Sequence, residues 1–155
     1  MATKHDAGKP DLIKLNPCSL AVLADIRRMS HAGSAIRAFW WWWTGRGRTG
    51  LRDALAHLCS SGTSRPFTHI FRVMEKGAEV YGWDNYLEDG GLAYSRLASA
   101  FLRHVEAYIA DPNARSDDFC LPHLDHALAC LHMLVTYTEL GMTDNDDRPK
   151  KESQE

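Results

Sequence analysis

Apolar residues recur at helical spacing in four stretches of the chain. The first begins at Pro17 and continues through Leu20, Leu23 and Ile26, which predicts a helix over about residues 17–29. The same spacing predicts a second helix between Pro66 and Gly82, a third from about Tyr94 to Ala110, and a fourth from Pro122 to Gly141. Alternating β-branched runs are scarce, so the pattern predicts an all-α bundle of about four main helices.

Residues 30–66 do not follow this pattern. Five glycines and one proline interrupt the segment: Gly33, Gly45, Gly47, Gly50, Gly62 and Pro66. We therefore predict an irregular insert around the run Trp40–Trp43, with a short helical stretch from Leu51 to Cys59. The four indoles favour an oligomer contact, or else core positions, because four consecutive side chains cannot all enter one pocket. The segment Gly45–Gly50 lacks the spacing and the preceding strand of a P-loop.

The remaining composition predicts one ordinary globular domain. We assign it to residues 1–143 of the 155, with 144–155 as a charged, disordered tail. The formal net charge of −2 favours neither nucleic acid nor an anionic membrane as a partner, so an anionic substrate must be bound locally. The longest apolar run, residues 38–43, is far shorter than the roughly 20 residues of a membrane span. Four cysteines without metal spacing, and no signal peptide, predict reduced thiols in a cytoplasmic protein.

Two carboxylates on the second helix are candidates for metal binding. Glu75 and Glu79 are four residues apart, so both lie on one flank of the helix, beside its apolar stripe. Carboxylates at this spacing can share a divalent cation. A solvated acidic edge, paired with Arg72 and Lys76, is the more common use of such a pattern.

Histidines mark the third and fourth helices. His104 falls in the middle of an apolar face, where an imidazole requires a partner. His123 and His126 lie one turn apart and flank the apolar stripe of the fourth helix, whereas Asp125 and His132 are expected on its other side. The pair can bind a metal or a substrate, and structural histidines hydrogen-bonded within the core are the alternative.

Three blocks in order along the chain resemble the phage dATP/dGTP diphosphohydrolases, the MazZ-type branch related to the all-α, MazG-like nucleoside triphosphate pyrophosphohydrolases. The first block is Lys4-x-Asp6-x-Gly-Lys-Pro10, followed by a helix that starts with proline. The second is Gly77-Ala-Glu-Val-Tyr-Gly82 with Asn85. The third runs from Tyr94-Ser-Arg-Leu through Arg103-His104 to Leu121-Pro-His-Leu-x-His-Ala127. Together they cover about residues 4–29 and 67–139.

The resemblance implies hydrolysis of a deoxypurine triphosphate, dGTP and also dATP, to the monophosphate and pyrophosphate. It further implies a biological setting, the synthesis of DNA that carries 2-aminoadenine in place of adenine in a bacteriophage. Similar proteins use a carboxylate-rich metal site. This chain departs from them, because His123 and His126 occupy the spacing on the fourth helix and residues 30–66 interrupt the run from the first helix to the second block.

On this basis we predict a mixed metal site of Glu75, Glu79, His123 and His126, with Asp125 or Asp84 as replacements for a histidine. Imidazole and carboxylate together suit Mn²⁺ or Co²⁺ better than Mg²⁺. Glu75 and Glu79 would be catalytic through the metal, and His104 would orient a ligand or water. The predicted substrate contacts are Lys4, Lys9, Lys76, Asn85 and Arg103.

Four helices offer too little core to enclose a nucleotide and four tryptophans, so a homodimer or homotetramer is also predicted. Two other functions compete with this hypothesis. An HD-type phosphohydrolase needs a His-Asp doublet on a core helix, but the suitable early doublet, His5-Asp6, lies in a polar terminal stretch. A non-enzymatic helical adaptor would instead dock a partner through Trp40–Trp43.

Overall fold

The computed structural model describes residues 8–150, and that part of the chain is helical with no β-strand. Its α-helices are α1 (Cys18–Ile26), α2 (Ser30–Trp43), α3 (Gly50–Gly62), α4 (Pro66–Tyr81), α5 (Tyr94–Ala110) and α6 (His123–Glu139). Short 3₁₀ helices cover Leu12–Lys14 and Asn85–Gly90. The all-α prediction is confirmed. No helix in this range is long and apolar enough to cross a membrane.

The four predicted helices correspond to α1, α4, α5 and α6. Pro66 opens α4, and Gly82 ends it with φ of 88°, a value that favours glycine. Pro122 does not begin α6 as predicted. Its ψ of 143° is extended, so it is the residue before the first helical position, His123.

The prediction of an irregular insert over residues 30–66 is wrong for most of its length. Two regular helices, α2 and α3, occupy it, and α3 includes the helical stretch predicted from Leu51 to Cys59. Gly33 does not break α2 but allows it to approach α1 closely. A Cβ at this position would lie 3.0 Å from the carbonyl oxygen of Ala21. A glycine needed for close helix packing and a glycine that ends a helix look alike in a sequence.

The tryptophan run does not form a single surface, because the helical turn of α2 distributes its side chains around the axis. Trp42 and Trp43 are each 4% exposed and belong to the core, whereas Trp41 is 51% exposed. The structure therefore places half of the run in the core. Trp42 and Trp43 are not available to dock a partner protein.

Helix α6 occupies the middle of the bundle, in contact with α3, α4 and α5. Stacked aromatic rings pack the neighbouring helices together. Phe39 of α2 stacks on Phe101 of α5 with centroids 4.5 Å apart, and Tyr94 stacks on Tyr137 at 5.9 Å. Because three helices surround α6, it has little solvent-facing surface over most of its length. Several of its polar residues therefore lie against the neighbouring helices.

The C-terminal segment is ordered as far as the structure describes it, so the prediction of a disordered tail from 144 is wrong for residues 144–150. Asn145 accepts a hydrogen bond at its backbone oxygen from the amide of Tyr94, at 3.0 Å. Asp147 accepts another from the amide of Ser95, at 2.8 Å. The guanidinium of Arg148 lies 4.3 Å from the ring centroid of Trp42. Residues 151–155 lie outside the described range.

Candidate active site

A cavity of about 340 Å³ opens between α4, α5 and α6, beside the 3₁₀ helix Asn85–Gly90 and the loop that precedes α6. This volume is in the range of small-molecule binding sites. Its lining combines aromatic and apolar side chains with a few polar groups. Its lining includes Gly77, Trp83, Asn85, Tyr86, His104, Asp117, Asp118, Phe119 and His126.

One wall of the cavity is the C-terminal half of α4. Gly77 removes a side chain from this wall, and a Cβ built there would meet no atom within 4 Å. Trp83 follows the helix and is 53% exposed, with its ring centroid 5.6 Å from that of Phe71. Tyr86 lies on the neighbouring 3₁₀ helix. This arrangement leaves an open slot bordered by aromatic rings, which suits a flat heterocycle.

The opposite wall carries a cluster of three histidines. His104 of α5 stacks on His126 of α6, with centroids 4.5 Å apart and planes 11° from parallel. His104 Nδ1 lies 2.9 Å from His123 Nδ1. His126 Nε2 lies 3.1 Å from the backbone oxygen of Asp118. The structure thus brings together all three histidines that the sequence marked, two of which line the cavity.

These contacts limit which nitrogens of the three histidine rings carry a hydrogen. A carbonyl oxygen only accepts, so His126 must donate from Nε2. Between His104 and His123, one Nδ1 must carry the hydrogen and the other must accept it, which requires that at least one of the two rings is neutral. Burial lowers the pKa of His123, and nearby Asp117 opposes this shift. The neutral form of His123 is consistent with its place in the pair.

Asp125 is on the buried side of α6, contrary to the prediction that it projects away from the core. It is 1% exposed, because α4 packs against this turn of the helix. Its Oδ1 lies 2.8 Å from Nδ1 of His69, and its Oδ2 has no hydrogen-bond partner among the described residues. Burial raises the pKa of Asp125, while His69, Arg72 and Arg115 act in the opposite direction. His132, which was also expected on the other side, is half-buried near the ring of Tyr86.

The predicted carboxylate pair lies outside the cavity. Glu75 and Glu79 are both exposed on α4, since Ile70 and Val73 define the buried face of that helix. Glu79 lies 3.8 Å from Lys76 in an exposed ion pair. Within residues 8–150 no three His, Cys, Asp or Glu side chains are grouped as a metal site. Glu75, Glu79, His123 and His126 of one chain therefore do not fit a shared metal ion.

The predicted phosphate contacts are scattered. Lys9 pairs with Asp118 at 2.8 Å, at the edge of the cavity, and Arg103 donates to the backbone oxygen of Pro10 at 2.8 Å. Both interactions hold the N-terminal segment of the chain against the helical bundle. Lys76 is exposed on α4. Lys4 lies outside the described residues. Asn85 lines the cavity.

The loop before α6 contributes lining residues that the sequence did not predict. Asp117, Asp118 and Phe119 line the cavity, although the segment reads as an ordinary polar loop. Phe119 and Cys120 adopt positive φ, 63° and 53°, and an isolated bridge joins Arg115 to Pro122. Non-glycine residues rarely adopt positive φ, and no pattern of residues in this loop predicts that conformation. The tight fold of the loop is what brings Phe119 within 6.0 Å of the His126 ring.

An all-α bundle with a cleft lined by aromatic rings, histidines and carboxylates has the character of an enzyme that acts on a small heterocyclic substrate. The family model for the N-terminal region of dATP/dGTP diphosphohydrolases matches residues 52–148, more than half of the chain. The chain belongs to this family, and it is an enzyme of the nucleoside triphosphate pyrophosphohydrolase kind. No curated protein and no solved structure matches it.

Proposed function

We propose that the cavity between α4, α5 and α6 binds dGTP, and also dATP, and hydrolyses it between the α and β phosphates. Water adds to the α phosphorus, the bond to the bridging oxygen breaks, and the products are the monophosphate and pyrophosphate. One observation carries the assignment: every residue that lines the cavity lies within the segment matched by the dATP/dGTP diphosphohydrolase family.

The lining suggests a division of roles. Trp83, Tyr86 and Phe119 offer ring surfaces to the purine base, and Asn85 can hydrogen-bond to the base or sugar. His104 orients the attacking water or a ligand, and its hydrogen bond to His123 fixes the plane of its ring. Lys9 pairs with Asp118, which lines the cavity, and is the proposed phosphate contact at this edge.

We also propose that hydrolysis depends on a divalent cation, Mn²⁺ or Co²⁺ in preference to Mg²⁺. A triphosphate brings several negative charges, and the cavity lining adds Asp117 and Asp118 without a lysine or arginine. A bound cation would neutralise this excess of negative charge. Glu75, Glu79, His123 and His126 remain the proposed ligands, although one chain alone does not group them.

Product analysis tests the activity. The purified protein is incubated with each of the four deoxynucleoside triphosphates, with and without EDTA, and then with Mn²⁺, Co²⁺ or Mg²⁺ added back. We expect pyrophosphate from dGTP and dATP, loss of release in EDTA, and recovery with added metal. Release of inorganic triphosphate instead would support the HD-type alternative. Absence of any turnover under all of these conditions would contradict the proposal.

Substitution tests the acidic pair separately. Glu75→Gln and Glu79→Gln each keep the size of an exposed side chain, so neither should affect folding. We expect each to reduce dGTP hydrolysis at saturating Mn²⁺ by at least about tenfold, since loss of a group that only supports a metal ligand already costs about ten- to a hundredfold. Near-wild-type rates in both would remove these residues from the metal site without affecting the assignment of the cavity.

For the biological setting, we propose that the enzyme supports a phage whose DNA carries 2-aminoadenine, by converting dGTP to dGMP and depleting dATP. Expression in a bacterial host should then lower the dATP pool and raise dGMP in extracted nucleotides. The variant His104→Ala serves as the inactive control. Unchanged pools in cells that contain active enzyme would oppose this role.

A further inference from the structure

A second cavity, of about 840 Å³, lies away from the candidate active site and shares no lining residue with it. The loop 44–49, the start of α3, the end of α6 and the C-terminal segment form its walls. Its charged lining residues are Arg46, Arg48, Arg52, Arg148 and Glu139. Four arginines converge here in a chain whose formal net charge is −2, so the local charge is opposite in sign to that of the whole chain.

Half of these arginines are already paired within the protein. Arg52 binds Glu139 at 3.0 Å, and Arg148 binds Asp146 at 2.8 Å. Arg46 and Arg48 contact no carboxylate in the part of the chain that the structure describes. Arg46 instead lies 5.6 Å from the ring centroid of Trp41. Two guanidinium groups thus stay available for an anion.

The loop that carries these two arginines is held in place by packing. Thr44 donates to the backbone oxygen of Trp40 at 2.9 Å, and Gly45 turns the chain with φ of 72°. A Cβ on Gly47 would lie 2.8 Å from Nε1 of Trp41, and one on Gly50 would lie 2.5 Å from the backbone oxygen of Ala38. The loop is therefore packed closely against α2.

The start of α3 adds donors to the same place. Thr49 precedes the helix and makes no side-chain cap bond, and Thr49, Leu51 and Arg52 line the cavity. The first amides of an α-helix have no partner within it and favour negative charge. This contribution supplements the arginines, which carry the argument.

We propose that this arginine cavity is a second binding site that takes a polyphosphate chain, either inorganic or as part of a nucleotide. Guanidinium groups bind phosphate oxygens in a bidentate manner, so two unpaired groups can bind more than one phosphate. The volume exceeds what a single phosphate needs. Arg46 and Arg48 precede the residues matched by the family, 52–148, so family membership does not assign this site.

The assignment is independent of the activity proposed for the other cavity, and the test keeps the two apart. Binding of tripolyphosphate and of dGTP is measured by calorimetry in EDTA, where metal-dependent binding elsewhere is suppressed. We expect Arg46→Ala/Arg48→Ala to weaken tripolyphosphate binding by at least about tenfold, the loss of two charge-assisted contacts. Arg46→Lys/Arg48→Lys keeps the charge without the fork and should give an intermediate affinity.

Two controls complete the experiment. Lys14→Ala/Arg65→Ala removes the same charge from exposed positions outside the cavity and should bind as the wild type does. His104→Ala alters the other cavity and should also leave tripolyphosphate binding unchanged. An equal loss of tripolyphosphate and dGTP affinity in Arg46→Ala/Arg48→Ala identifies the phosphate chain as the ligand, and a larger loss of dGTP affinity identifies a nucleotide. Equal binding by wild type and Arg46→Ala/Arg48→Ala, or tighter binding of single-stranded DNA than of tripolyphosphate, would overturn the proposal.

Discussion

At the scale of single residues, two substitutions of Gly77 test substrate binding and folding stability separately. This glycine lies within α4, lines the candidate active site, and has open space where a side chain would be. Gly77→Ala should raise the free energy of unfolding by about 0.5–1 kcal/mol, since glycine is a poor helix former. The Gly77→Phe variant should also fold, because there is open space at this position. Its ring should fill the slot and abolish dGTP hydrolysis. Thermal unfolding and pyrophosphate release measure the two effects.

The control for Gly77→Phe is Ala56→Phe, which adds the same ring bulk to an exposed position inside α3. It should leave hydrolysis unchanged. Full activity of a folded Gly77→Phe variant would show that the substrate does not enter this cavity.

His132 offers a test of how burial affects protonation. Burial lowers its pKa from the ordinary value of 6.5. The folded state therefore binds fewer protons than the unfolded state. The stability that results is complete above about pH 6.5 and is lost as the pH falls through the lowered pKa of the folded protein. Because His123 shifts in the same direction, both histidines contribute to this loss.

We expect His132→Phe to reduce the fall in Tm between about pH 7.5 and about pH 5.5. Phenylalanine has a similar ring and does not titrate, so it can keep the contact with Tyr86. Comparing the pH dependence of Tm within each protein removes any constant effect of the substitution. An identical fall in wild type and variant would mean that His132 is not responsible for it.

At the scale of elements, the C-terminal segment acts as part of the fold. Ala93 precedes α5 and makes no cap bond, but Asp147 accepts hydrogen bonds from the amide and the hydroxyl of Ser95 in its first turn. Asp147 thus caps α5 from a distant part of the chain. Asp147→Ala should lower the free energy of unfolding by about 1 kcal/mol, as for loss of an N-cap. Lys150→Ala, at an exposed position in the same segment, should have no effect in denaturant titration.

The cap of α5 also illustrates what the sequence predicts and what it does not. Helical spacing predicted α1, α4, α5 and α6, because periodicity is a local property. The docking of residues 144–150 depends on Ser95 and Trp42, which are distant in sequence, so composition alone favoured disorder there. Gly33 was misinterpreted for the same reason, since its role is contact with α1.

The candidate active site also combines residues that the sequence predicts with residues that it does not. His104, His126 and Asn85 were predicted, because polar residues within apolar or motif-like surroundings are visible in a sequence. The contributions of Asp117 and Phe119 depend on the tight loop before α6, which carries no local signal. Asp125 was placed on the wrong side, because the central position of α6 follows from the packing of three other helices.

At the scale of the whole molecule, α4 indicates how copies of the chain would assemble. Its outer surface exposes Phe67 (78%) and, one turn later, Phe71 (49%). Apolar side chains along one helix favour contact with another protein surface. Glu75 and Glu79 are exposed on the same helix. Contact between copies along α4 is therefore the assembly that would enclose the predicted acidic pair.

We predict a homodimer or homotetramer by light scattering at micromolar concentration, dissociated by Phe67→Asp. The monomer should stay folded by circular dichroism, since Phe67 contributes little to the core of one chain. Ile26→Asp is the matched control, because Ile26 is 72% exposed on α1, and it should keep the assembly. Dissociation by Ile26→Asp in place of Phe67→Asp would move the contact to α1. If dissociation through α4 also abolished hydrolysis while dGTP binding persisted, the copies would share the catalytic step and not the recognition of the nucleotide.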